Sequence, residues 1–305
     1  MADLRPDEVF PGKFGDWRVQ TLACGRFALD GGAMFGAVPR VLWERRIAPD
    51  AAHRIPMAMR LLLVRHRSGR PTILVDAGVG DKFDAAFRDR FAIEGPQVGG
   101  DGPPLFKVLA AAGVSPGEVT DVVITHLHFD HGGGFIVRES GGDAVPAFPG
   151  ARHYLQGANL DTAEHPNPRE RASYIPENFR PLREIDLVLL EGGEEIRPGI
   201  RLIPSHGHTA GMQTVRVEGG GRVLHYLADL APTHHHLHIP FTMGYDICAR
   251  EIMLEKERLL RVALEEEALL IFEHDPHVEA AIAGFDRGKY RALRAGRLES
   301  GRAQE

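Results

Sequence analysis

The sequence predicts an α/β fold in which two sheets are covered by helices. Three observations carry that reading. Apolar runs of strand character come first and are joined as hairpins. Strand and helix patterns then mix, and several later strands end on a histidine or an aspartate. No linker or internal repeat interrupts the chain, so residues 1–305 read as a single unit.

The first third is strands and turns. Residues 17–29 roughly alternate apolar and polar side chains, and 60–66 and 72–75 form two apolar runs. Arg67-Ser-Gly-Arg70 between those runs reads as a hairpin loop. Residues 31–56 fit neither the helical nor the strand period, although they carry Met34, Phe35, Val38, Leu42 and Trp43. The segment is either a loop packed on the core, a lid, or a contact that would make the protein a homodimer.

A short helix is expected at 104–112, then a buried strand at 121–124. Further strands are expected at 186–190, 200–203, 214–218, 223–228 and 269–272, with the Gly219-Gly-Gly221 turn joining two of them. The long helix at 248–267 is read from Ile252, from Leu259 seven residues on, and from Val262 and Ala263 three and four residues beyond Leu259.

Composition excludes several functions. With 36 basic and 42 acidic residues the net charge is −6, which argues against a nucleic-acid surface. The two cysteines, Cys24 and Cys248, form no disulfide framework and no CxxC pair, as expected of a reducing compartment. The charged start MADLRPDEVF lacks the apolar stretch of a secretory signal. No apolar run approaches the ~18 residues a membrane span needs. The expectation is a soluble cytoplasmic protein acting on a small molecule, with no nucleic-acid or membrane partner.

The chemistry concentrates in Thr125-His126-Leu127-His128-Phe129-Asp130-His131-Gly132-Gly133, directly after the strand at 121–124. In extended backbone His126 and His128 point the same way, because side chains alternate. Asp130 and His131 follow at a turn that can aim them at a second point, and the glycines let the chain bend beside it. His208 lies in Ser205-His-Gly-His-Thr-Ala-Gly211 after another strand, and Asp229 and His274 each stand at a strand end. One such histidine alone is more often structural. Seven ligand-type residues recurring at strand ends point to metal.

HxHxDH at 126–131, the later GHTxG histidine, the strand-end aspartate and the final strand-end histidine together resemble the metallo-β-lactamase superfamily. The turn Val75-Asp76-Ala-Gly78 resembles a further element of that family, in which the aspartate orients the metal loop. The resemblance runs from Asp76 to His274 and implies a four-layer αββα sandwich of two mixed sheets flanked by helices. It implies one metal on His126, His128 and His208, a second on Asp130, His131 and His274, and Asp229 bridging. Three neutral imidazoles suit zinc, while the carboxylate-containing site also accepts manganese, iron or cobalt.

Within the superfamily the chain looks most like quorum-quenching lactonases and organophosphate hydrolases. The resemblance then implies that a hydroxide bridging the two ions attacks a lactone or other carboxylic ester, with Asp130 passing a proton to the leaving alcohol. Such lactonases often carry a tyrosine just after the bridging aspartate. Here Leu230, Ala231 and Pro232 stand there, and Tyr245 or a histidine of 234–236 is the candidate replacement. The alternatives are a glyoxalase-type thioester hydrolase, a phosphotriesterase or phosphodiesterase, and a di-iron redox or metal-sensing protein.

Phe35, Trp43, Phe241, Tyr245 and His235 are the candidate substrate contacts, with Met243 beside them. The histidine-rich stretch 231–240 is read as a solvated loop at the rim of the site. His206 and His225 are read as structural or as partners of ligands.

Overall fold

The computed structural model describes residues 4–138 and 142–299. A seven-stranded sheet orders Leu187–Leu190, Arg152–Gln156, Asp121–Val123, Thr72–Val75, Arg54–His66, Trp17–Asp30 and Lys13–Phe14 side by side. An eight-stranded sheet orders Glu8–Phe10, Lys289–Leu298, Ala280–Asp286, Leu269–Ile271, Arg222–Tyr226, Met212–Gly219, Ile200–Ser205 and Glu194–Arg197. Both are mixed. In the first, the four strands from Leu187–Leu190 to Thr72–Val75 are parallel and the rest antiparallel. In the second, Arg222–Tyr226 with Leu269–Ile271 and Glu8–Phe10 with Lys289–Leu298 are the parallel pairs.

The apolar strands read as continuous because both faces are buried. Leu62, Val64, Ile73, Val75 and Val123 meet Leu202, Val215, Leu224, Tyr226, Leu269 and Ile271 between the sheets. The alternate residues Leu61, Leu63, Leu74 and Val122 face outward onto the helix Pro104–Ala111, through Leu105, Val108 and Leu109. On the far side, Leu270, Ala281 and Ala283 pack against Leu260 and Ala263 of the helix Ala249–Glu265. The result is the expected four layers, helix, sheet, sheet, helix.

That long helix forms where its periodicity predicts, with its buried face rotated. Ile252, Glu255, Lys256, Leu260 and Ala263 are buried, whereas Val262 is 38 % exposed. Two charged residues take the inner positions because, as shown below, they satisfy loop backbone. Several elements went unread: the strand Arg152–Gln156, the helix Gly157–Glu164 and the C-terminal hairpin Ala280–Asp286 with Lys289–Leu298.

The stretch 31–56 packs on the core and carries two short helices. Asp30 caps a short helix, Gly31–Phe35, by accepting from the Ala33 N–H at 2.8 Å. A second, Arg40–Trp43, follows, and the strand Arg54–His66 begins inside the stretch. Met34, Phe35 and Trp43 are buried in the core, while Val41 and Leu42 face outward.

Candidate metal centre

The candidate ligands gather beyond the carboxyl ends of strands from both sheets. Asp121–Val123 runs into the 125–131 loop, Ile200–Ser205 into His208, Arg222–Tyr226 into Asp229 and Leu269–Ile271 into His274. After His128 the chain makes one helical turn, Phe129–Gly132, which swings Asp130 and His131 to a second position. The glycines that follow matter less for bending than for close approach. A Cβ on Gly133 would lie 2.2 Å from the Val79 carbonyl oxygen, and one on Gly134 would lie 2.2 Å from that of Ala77. Asp76 and Ala228 hold left-handed backbone without being glycine, at φ 59° and 45°. One is the residue that orients His131 and the other precedes Asp229, so two of the six such residues described stand at the centre.

Two groups form. Ligand atoms of His126, His128, His208 and Asp229 lie within 4.8 Å of one another, as do those of Asp130, His131 and His274. Asp229 reaches both: its Oδ2 is 3.2 Å from His208 Nε2 and 3.4 Å from His131 Nε2, and its Oδ1 is 3.4 Å from His274 Nε2. All seven residues are buried.

The donor set fits two cations. His128 Nδ1 faces His126 Nε2 at 3.0 Å and His208 Nε2 at 3.2 Å, and His131 and His274 face each other Nε2 to Nε2 at 3.0 Å. Three imidazole nitrogens converging on one point cannot all be paired by hydrogen bonds among themselves, since a neutral ring has one N–H. Asp229 Oδ1 is buried without a hydrogen-bond donor. Cations between these atoms would satisfy both.

The outward nitrogens of four of the five rings are held; His128 Nε2 is buried without a partner. His126 Nδ1 contacts Thr125 Oγ1, His208 Nδ1 donates to Asp246 Oδ1 at 2.9 Å, and His274 Nδ1 donates to the Ala58 carbonyl at 2.8 Å. His131 Nδ1 stands 3.2 Å from Asp76 and 3.1 Å from Glu273. Asp76 is itself fixed by the Thr125 N–H and hydroxyl, as its expected orienting role requires. Each contact selects the tautomer that leaves Nε2 free as a ligand. Burial, then the neighbouring imidazoles, holds His126 and His128 well below the usual histidine range, so both rings are neutral. Burial alone would raise Asp229, but His208, His131 and His274 outweigh it and keep it an anion.

The other expectations divide. Phe35 stacks on His236 at 4.9 Å and on Trp43 at 5.9 Å, and with exposures of 0 % and 3 % Phe35 and Trp43 are core packing, not surfaces that a substrate touches. Tyr245 remains accessible at 37 %; burial, then the charges of Asp130 and Asp30, push its phenol up to about 12. Phe241 and His235 are half-buried, and Met243 is buried. The histidine-rich stretch is not a solvated loop: His236 is buried, and His234 Nδ1 is bound to Asp275 at 2.5 Å. His206 and His225 are structural, His206 accepting the Gly211 N–H and His225 lying against Arg216. Sequence reasoning missed Asp246 and Glu273. Glu273 had a signal, a carboxylate ending the apolar run 269–272 beside His274, whereas Asp246 had none.

A family model for the metallo-beta-lactamase superfamily matches residues 62–274, the span that contains all seven candidate ligands. The chain belongs to the metallo-beta-lactamase superfamily. It is 28 % identical over 214 residues to an N-acyl homoserine lactonase of a Bacillus species, covering 67 % of this chain and 76 % of that one. An N-acyl homoserine lactonase of Bacillus cereus matches to the same extent. A probable metal-dependent hydrolase from Staphylococcus aureus superposes with a TM-score of 0.83 at 26 % identity, over 94 % of this chain and 99 % of that one. A dizinc quorum-quenching lactonase shares the fold, with a TM-score of 0.72 at 20 % identity over 92 % and 95 % of the two chains. The chain is a metal-dependent hydrolase of this fold, and among the described residues no helix is long and apolar enough to cross a membrane.

Proposed function

We propose that this hydrolase opens a lactone of the N-acyl homoserine type, or a related carboxylic ester, using two zinc ions. The observation that carries the proposal is Asp229 standing between two buried ligand groups. The lactonase relatives supply the substrate class. His126, His128 and His208 would hold one ion, Asp130, His131 and His274 the other, and Asp229 both. When bound, such a pair polarises a carbonyl oxygen and lowers the pKa of water.

The protein's own residues do the rest. Asp76, Asp246 and the Ala58 carbonyl fix the rings before substrate arrives, so little reorganisation is needed during the reaction. Asp130 Oδ2, 3.7 Å from His274 Nε2 and close enough for its charge to act on the Tyr245 phenol, would take a proton and release it to the leaving alcohol oxygen. The test is metal analysis of the purified protein together with a panel of lactones, aryl esters, phosphotriesters and S-lactoylglutathione. Two zinc ions per chain and preferred turnover of acyl lactones are expected. Preferred turnover of the thioester or the phosphotriester would overturn the substrate assignment, and turnover of none would overturn the hydrolytic one.

A further inference from the structure

Residues 232–246 form a strap tied to the centre at both ends. The His274 N–H donates to the Pro232 carbonyl at 3.1 Å, and the Asp246 carboxylate holds His208 at 2.9 Å. Between these ties lie His235, Phe241 and Tyr245. The strap contains one short turn, His234–Leu237, and no strand; local bonds such as Phe241 N–H to the His238 carbonyl at 2.8 Å brace it in part, and contacts outside it supply the rest.

Lys256 provides one. Its side chain is 1 % exposed, and its Nζ donates to the His236 carbonyl at 3.1 Å and the Phe241 carbonyl at 2.7 Å. The neighbouring Glu255 serves the opposite side. It accepts from the Ser205 hydroxyl at 2.6 Å and the His206 N–H at 2.7 Å, in the loop that carries His208. That loop is pressed onto the same helix, where a Cβ on Gly207 would meet the Ile252 nitrogen at 2.4 Å. Adjacent residues of one helix therefore hold the metal loop and the middle of the strap.

An apolar side chain would fill the Lys256 position at lower desolvation cost, since a buried amine is unfavourable without partners. What it could not do is satisfy two carbonyls of an irregular strap. We infer that Lys256 is a positioning residue that sets substrate choice, by fixing where His235, Phe241 and Tyr245 stand beside the centre. The amine carries two or more N–H bonds in either protonation state, so both contacts persist across neutral pH.

The substrate part of this inference rests on the proposed hydrolytic function; the structural part does not. The experiment compares zinc-loaded wild type, Lys256→Met and Glu255→Gln by hydrogen exchange, metal content and kinetics on lactones and esters of increasing acyl length. In Lys256→Met, exchange across 232–246 should quicken about tenfold or more, the scale of two lost hydrogen bonds. Metal content should stay at the wild-type level, and the preference among acyl lengths should flatten, chiefly through KM. Glu255→Gln should do the reverse, losing metal while exchange in the strap is unchanged. Lys256→Gln, whose shorter amide reaches only one carbonyl, is read in the same way should Lys256→Met fail to fold. A folded, loaded Lys256 variant with wild-type strap exchange and wild-type substrate ranking overturns the inference. Should wild type turn over no member of the series, the functional proposal fails, and the exchange comparison still decides the structural part.

Discussion

Two histidine-rich segments of this chain do opposite work. In 126–131 the rings turn towards one another and towards His208, with nitrogens 3.0–3.2 Å apart and no hydrogen-bonding scheme that satisfies them all. In 234–238 each buried ring has a partner of its own. His234 binds Asp275, and His236 lies between the Thr233 hydroxyl at 2.8 Å and the Met34 carbonyl at 2.8 Å. Histidine density therefore does not mark a metal site. Convergence of lone pairs does, and the fold supplies it by bringing four strand ends to one place.

Breaking the convergent set should have the largest effect. Asp229→Ala removes the carboxylate that faces both groups and should lose most of one or both ions, and with them activity, as metal analysis and turnover would show. Full metal content in that variant would take Asp229 out of the centre. Asp130→Asn is the next step down. It keeps the size and one ligand oxygen but cannot relay a proton, so kcat should fall by ~10²-fold at full metal occupancy. Near-wild-type turnover would leave Asp130 a ligand alone and move the proton donor to Tyr245 or to the 234–236 run. Asp246→Asn should act more mildly, weakening ion affinity by roughly 10–100-fold through the orientation of His208. Competition with a chelator measures that loss, and unchanged affinity would mean that the Asp246 contact serves only the strap.

Much of this was legible in the sequence because local rules dominate there. The His126–His131 spacing fixes its own geometry over six residues, and the strand ends before His208 and His274 follow from apolar runs. The weaker readings share a physical cause. Phe35 and Trp43 were read as substrate walls because a segment without periodicity gives no inner or outer face; both pack inside, on His236 and on each other. The face of the helix Ala249–Glu265 was read from apolar residues, yet Glu255 and Lys256 point inward to serve backbone groups. The partners of those two residues lie at least 15 positions away in the chain, and no sequence window contains them.

The smallest effect should come from the structural segment and should appear in stability, with ion content unchanged. Burial, assisted by the charge of Lys256, lowers His236 from its ordinary 6.5 to about 4. The unfolded chain therefore binds a proton at this position between pH 6.5 and 4 that the folded chain refuses. The sign follows from linkage: the His236 contribution is complete above pH 6.5 and is lost as pH falls towards 4, with a slope of at most about 1.4 kcal/mol per pH unit. Other buried histidines, such as His153 and His225, titrate in the same window, so wild type alone cannot isolate the effect. His236→Gln removes this one proton and leaves the rest. Urea unfolding of both proteins from pH 8 to pH 5 should show His236→Gln less stable at pH 8, where it loses a fitted ring and its contact to the Met34 carbonyl. That deficit should narrow steadily on acidification, because only wild type pays to keep His236 neutral. A deficit constant across the range would mean that His236 is free to protonate in the folded protein, and that the strap is looser around it than its buried ring implies.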